Sequence, residues 1–322
     1  MAPSVDSEVI GSFRRLAREP LPYAPDLVVE KWRSTASGLT VLWAQFDNPL
    51  LNAYITVASE IFTDSGVPHT LEHLVFLGSQ QYPYKGVLDS LANRAFAQGT
   101  NAWTANDHTA YTLTTAGSDG FLRMLPVYCD HVFFPTLTDA GFVTEVYHIN
   151  GKLEDAGVVY SEMQGRENSS ADLMELKTQR MLYPRSSAYR SETGGLMSAL
   201  RVLTIDEIRQ YHAKYYAPHN AAIVLCGPLD REKLFATLQG IDERFVQLGV
   251  AHGEHGRAPA AVRVADRRPV IALVAHREVL RDPLRQVVGE PGLRLRQPPG
   301  RVVDALGVEA IRRPVRDDEK RE

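Results

Sequence analysis

Two imidazoles and a carboxylate fall within five residues, His69-Thr70-Leu71-Glu72-His73, and no other stretch of this 322-residue chain offers as much chemistry. The order is His-x-x-Glu-His, the reverse of the zinc-binding His-Glu-x-x-His spacing. On a helix the two histidines are four apart and share a face, with Glu72 beside them. Two neutral imidazoles can hold one Zn²⁺ at about 2.0–2.1 Å each, and a neighbouring carboxylate can act on water that the metal acidifies.

That chemistry needs a helix, and the local sequence supplies one. Val67-Pro68 precedes the motif, and proline suits a first helical turn. Leu71, Leu74 and Val75 form one face; His69, Glu72, His73 and Phe76 form the other. Gly78-Ser79 offers a stop. A tetrahedral catalytic site also needs a third protein ligand. The candidate is Glu162, in Gly157-Val158-Val159-Tyr160-Ser161-Glu162-Met163. On a helix it would share a stripe with Val158, Val159, Met163 and Arg166, and a carboxylate on an apolar stripe needs a compensating charge. The spacing leaves two readings open: a metal ligand, or an ordinary helix glutamate paired with Arg166. From Thr100 to Thr115 the chain alternates, with Trp103, Asp107, Thr109, Tyr111 and Leu113 on one side, which reads as one β-strand. Phe76 faces the histidine side, as a pocket lining or as plain core.

Three blocks then carry a resemblance: His69-x-x-Glu72-His73 with Leu74-Val75-Phe76-Leu77-Gly78-Ser79, Asn101 to Tyr111, and Gly157 to Met163. Their order resembles the amino-terminal catalytic domain of the pitrilysin, or insulinase, family of zinc metallopeptidases, nearest its presequence-protease-like branch. The likeness covers roughly residues 21 to 245. It implies an α/β (α+β) domain with a mixed sheet and helices packed on one face. It implies Zn²⁺ held by His69, His73 and Glu162, with Glu72 as general base. It implies an acidic second-shell residue about two helical turns before Glu162, for which Glu154 and Asp155 are the candidates. It also implies that the 100–115 strand lies at a sheet edge and pairs with a peptide substrate, with Asn101, Ala102 and Thr104 along it and Phe76 near the pocket. The family builds its chamber from two halves, so a carboxy-terminal half or partner subunit is expected. A non-catalytic structural or peptide-binding subunit on the same fold is the alternative.

Composition bounds the rest. Hydrophobic residues make up 44% of the chain, enough for a packed core. Cys129 and Cys226 are far apart and give neither a disulfide framework nor a zinc ribbon, which suits a reducing compartment. No run of eighteen apolar residues exists, so no membrane span is expected. Arg14, Arg15 and Arg18 are diluted by Asp6, Glu8 and Glu19, so a cytoplasmic location is expected ahead of a mitochondrial one. The net charge is −4, and residues 1–250 carry 28 acidic against 20 basic groups, which gives no reason to expect nucleic-acid binding.

Along the chain, strands are expected near 27–34, 38–48 and 52–60. Helices are expected at 68–78, 85–97, 118–133, 156–182 and 194–203. Another opens at Thr204 with a capping-box spacing, and a last one follows Leu229-Asp230. Ala221 to Cys226 reads as a buried strand. The division is an amino-terminal tail (1–20), a metallopeptidase domain (21–245) and an arginine- and proline-rich tail (246–322), poorly ordered apart from a possible strand at Val270 to Ala275.

Overall fold

The computed structural model describes residues 8–22 and 24–250. What the sequence predicts for residues 251–322, including the strand at 270–275, lies outside them. Ten strands and nine α-helices follow one another among the described residues. They are β1 (Val9–Ile10), β2 (Phe13–Leu21), β3 (Ala24–Ser34), β4 (Thr40–Ala44), β5 (Leu50–Ala58), α1 (Val67–Val75), α2 (Val87–Arg94), β6 (Asn101–Thr104), β7 (His108–Ala116), α3 (Ser118–Phe133), α4 (Asp139–Glu145), β8 (His148–Ile149), β9 (Asp155–Ala156), α5 (Val158–Glu167), α6 (Ser170–Leu182), α7 (Met197–Leu200), α8 (Ile205–Tyr215), β10 (Ala221–Cys226) and α9 (Arg231–Gln247).

Eight strands form one sheet in the order β1-β2-β3-β4-β10-β5-β7-β6. β10 runs parallel to β4 and antiparallel to β5, and the remaining pairs are antiparallel, so the sheet is mixed. The central strands are apolar on both sides, as expected for strands buried on both faces. Val41, Trp43, Leu51, Ile55, Val57, Ile223 and Leu225 point into the main core, where α1, α3, α8 and α9 contribute Leu71, Leu125, Ile208 and Leu234. Leu42, Ala44, Tyr54, Ala222, Val224 and Cys226 form a smaller cluster on the other face, which no described helix residue joins. The expected α/β architecture, with helices on one face, is therefore the one observed.

Four expectations change. The segment assigned to an amino-terminal tail carries β1 and β2. Its charged strand hides in sequence because Arg15 is neutralised by Glu8 and Glu30 and lies over Trp32. The stretch read as one strand is a hairpin: β6 and β7 pair from Thr104↔Thr109 to Asn101↔Thr112, around a turn at 105–107. The 156–182 helix is two, because Ser169 caps α6 by accepting from the Asp172 N–H. Of 194–203 only α7 is helical, since Gly195 has φ 87°. The capping box at Thr204 and Glu207 is present as expected.

Candidate metal centre

α1 carries the motif through the middle of the molecule. One side faces β6 and β7; α4, α5 and α8 pack around the rest. Its apolar face is buried, and so are His69 and Glu72, at 9% and 8% exposure. Gly66 caps its start with φ 75°, and a Cβ there would strike Gly194 and Gly195. The 194–195 loop is thereby seated against the motif's first turn.

The two histidines turn their Nε2 atoms toward each other at 3.3 Å. Glu162, from α5, places Oε2 at 3.6 Å from each of them. For a tetrahedral ion with bonds of about 2.05 Å, ligand atoms should lie about 3.3–3.4 Å apart. The observed triangle fits that size, and these residues form the one group of three potential metal ligands among the described residues. α5 is aimed by Gly157, whose φ is 132° and whose position leaves no room for a Cβ beside the Val146 carbonyl. Val159, Tyr160 and Met163 are buried in α5 while Val158 is exposed, so the expected apolar stripe around Glu162 is formed only in part.

The electrostatics of the cluster are those of crowded ligands. Burial, together with His73, lowers the His69 pKa to about 4. Burial also works against a charged His73, but hydrogen bonds to Glu145 and Glu162 and the charge of Glu72 outweigh it, raising its pKa to about 9. His73 holds Glu162 below the usual carboxylate range. Burial raises Glu72, opposed by a hydrogen bond that Thr104 Oγ1 donates to its Oε2 at 2.5 Å. Among protein groups alone, a proton on His73 holds the nitrogens and carboxylate together. A divalent cation is the chemically natural replacement for that proton.

The expected second-shell residues are elsewhere. Asp155 bonds to Tyr147, Tyr160 and Arg201, and Glu154 to Asn150. Counting back two turns from Glu162 fails because α5 begins only at Val158; residues 154 and 155 belong to the β8–β9 hairpin region. The acid behind His73 is Glu145, at the end of α4, with Oε1 3.1 Å from His73 Nδ1 and Lys85 3.7 Å from its other oxygen. Sequence reasoning missed it, and no periodic signal links it to the motif. Of the expected substrate-side residues, Asn101, Ala102 and Thr104 lie on β6, the edge strand of the sheet among the described residues, with Thr104 against Glu72. Phe76 packs on Tyr111 with ring centres 5.9 Å apart, so it belongs with the core.

Comparison with known proteins gives the family. Residues 59–177 match the family model described as insulinase (peptidase family M16), and residues 203–262 match the M16 inactive domain. The chain belongs to the insulinase, or M16, family of peptidases. An uncharacterised protein of Caenorhabditis elegans is 45% identical over 212 residues, covering 66% of this chain and 21% of that protein. The mitochondrial presequence protease of Candida albicans is 29% identical over 258 residues, covering 76% of this chain and 24% of that protein. The crystal structure of pitrilysin superposes with a TM-score of 0.59 at 15% identity, over 78% of this chain and 26% of that one. A protease from Helicobacter pylori gives the same TM-score at 19% identity, over 72% and 52%. This M16 chain thus spans about a quarter or less of the length of these curated relatives. No helix among the described residues is long and apolar enough to cross a membrane.

Proposed function

We propose that this chain is the metal-holding part of a zinc-dependent endopeptidase. The observation that carries the reading is the triangle of His69, His73 and Glu162, 3.3–3.6 Å on each side, with Glu72 on the same helix and the free edge of β6 beside it. When bound there, zinc supplies Lewis-acid polarisation of a carbonyl and acidifies water.

The chain's own residues do the rest. Glu72 takes a proton from the attacking water and passes it to the leaving amine. Thr104 occupies Glu72 Oε2, which leaves Oε1 for that proton. Burial raises the Glu72 pKa, and that makes it a stronger base. Glu145 accepts from His73 Nδ1, fixing the ring so that Nε2 is the ligand atom. The unpaired side of β6, at Asn101, Ala102 and Thr104, adds a peptide as a further strand, which accepts varied sequences because it reads main chain. The partner is therefore a peptide; a carboxy-terminal half, from the same gene product or a second subunit, would complete the chamber. The compartment is one that keeps Cys129 and Cys226 reduced, the cytoplasm or, by likeness to the presequence proteases named as mitochondrial, the mitochondrion.

A quenched fluorescent peptide, cleaved by the zinc-loaded chain and spared after chelation, tests the reading. Glu72→Gln should keep the metal and lose turnover, whereas His73→Ala should lose both. Normal peptidase activity in Glu72→Gln would refute the assignment. The second reading, a non-catalytic peptide-binding subunit, draws support from the match of residues 203–262 to the M16 inactive domain. It predicts a chain that binds zinc and peptide and stays silent even after a carboxy-terminal half is added.

A further inference from the structure

α6 follows the Glu162 helix directly, yet none of its residues is buried. It exposes Met174 at 69% and Leu182 at 71%, and these two line one side of a groove of about 520 Å³. Tyr183 and Tyr189, stacked at 5.4 Å and 28°, line it as well. Asn106 reaches the groove from the β6–β7 turn and is fixed there, donating to the Ser191 carbonyl at 3.1 Å. Tyr189 donates to Asp107 Oδ2 at 2.6 Å, so the aromatic wall is bolted to the same turn. The lining has one charged side chain, Glu175, and no lysine or arginine.

The groove's place matters as much as its lining. Asn106 lies two residues beyond Thr104, the β6 residue that touches Glu72. Two residues of chain reach at most about 7 Å, a span that an extended peptide covers in two or three positions. Exposed apolar surface of this kind, next to a free sheet edge, suits an apolar side chain delivered by an added strand.

We propose that the groove between α6 and the Tyr183–Tyr189 pair seats a large apolar side chain, best an aromatic one, two or three residues along a bound peptide from the bond presented to Glu72. The proposal rests on the peptidase reading for the position of that bond. It adds a side-chain preference to an enzyme whose edge strand reads only main chain. Met174, Leu182, Tyr183 and Tyr189 are the specificity-determining residues.

The test is binding, so it needs no turnover. Twelve-residue peptides of serine, threonine and alanine, each with one central Phe, Ser or Lys, are titrated by fluorescence anisotropy into the full chain carrying Glu72→Gln. The Phe peptide should bind about tenfold more tightly than the Ser peptide, as expected for a partly buried ring. Met174→Glu with Leu182→Glu should erase that difference. Both side chains are exposed, and an unchanged thermal melt and zinc content would show that the fold and the metal centre are intact. The inference falls if the three peptides bind alike or not at all, if Lys binds better than Phe, or if the Phe advantage survives in the double variant. It also falls if the double substitution's one effect is to dissociate a dimer of this chain in sedimentation. Cleavage of the Ser peptide by zinc-loaded wild type, with no Phe preference, would sink the groove and leave the peptidase reading standing.

Discussion

Zinc affinity should fall in a fixed order across three glutamates that sit within one cluster. Glu162→Gln removes a ligand. A structural zinc ion is worth about 10–16 kcal/mol over four ligands, so one ligand carries about 3 kcal/mol, and the dissociation constant should rise between a hundred- and a thousandfold. Glu145→Gln leaves the triangle intact but loses the acceptor at His73 Nδ1, 3.1 Å away, and changes of that kind cost about ten- to a hundredfold. Glu72→Gln should change affinity by less than a few-fold, because Glu72 is engaged by Thr104 and lies outside the three-residue ligand group. Competition against a chromophoric zinc chelator at pH 7.5 reads all three constants, with thermal melts to confirm folding. The reasoning is refuted if Glu162→Gln binds zinc as tightly as wild type, or if Glu72→Gln loses as much affinity as Glu162→Gln.

Further outcomes follow from other parts of the fold. His212 donates from Nε2 to the Val132 carbonyl at 3.0 Å, and burial lowers its pKa to about 4. The unfolded chain therefore binds the extra proton first: this contribution is present above about pH 6.5 and is lost as pH falls toward 4, at most about 3 kcal/mol. Denaturant melts of His212→Gln should show a correspondingly shallower decline over that window; equal slopes would remove the assignment. Asp242, 1% exposed, accepts from Ser12 at 2.5 Å, Ser34 at 2.7 Å and Ser37. Asp242→Ala should cost about 3 kcal/mol by removing the acceptor of three hydroxyls, of which Ser12 keeps a second in Gln239, and a melt within 1 °C of wild type would contradict this. Gly157→Ala forces a Cβ against the Val146 carbonyl at a positive φ, so it should destabilise by about 3 kcal/mol and weaken zinc binding by shifting α5. Peptides with N-methylated central amides should lose most of their affinity if β6 pairs with main chain, and unchanged affinity would exclude strand addition.

The parts of the site legible in sequence are those fixed by local geometry. His69 and His73 share a face because they are four apart on a helix, and the Thr204 capping box and the apolar run of β10 are equally local. What could not be read is what arrives from a distance. Glu145 meets His73 across 72 positions, from a seven-residue helix with no pattern pointing to the motif. β2 is a strand whose arginines look solvated until Glu8, Glu30 and Trp32 are placed around them. Two misreadings had available signals: Asn106-Asp107 marks a turn within the supposed single strand, and Ser169 with Asp172 marks a new helix start. In both, a continuous pattern outweighed the local punctuation.

β10 enters the sheet between β4 and β5, although roughly 160 residues separate it from β5 in the chain. A ribosome therefore delivers the histidine helix long before the central plank that its support is built around. Until Cys226 has cleared the exit tunnel, β4 has β3 and β5 has β7 but nothing joins the two halves of the sheet, and the nascent motif has no finished platform. Truncation between α6 and that strand should leave both histidines and Glu162 in the polypeptide but no preorganised pocket for a cation, and ordering of the whole domain should wait on one late, long-range pairing.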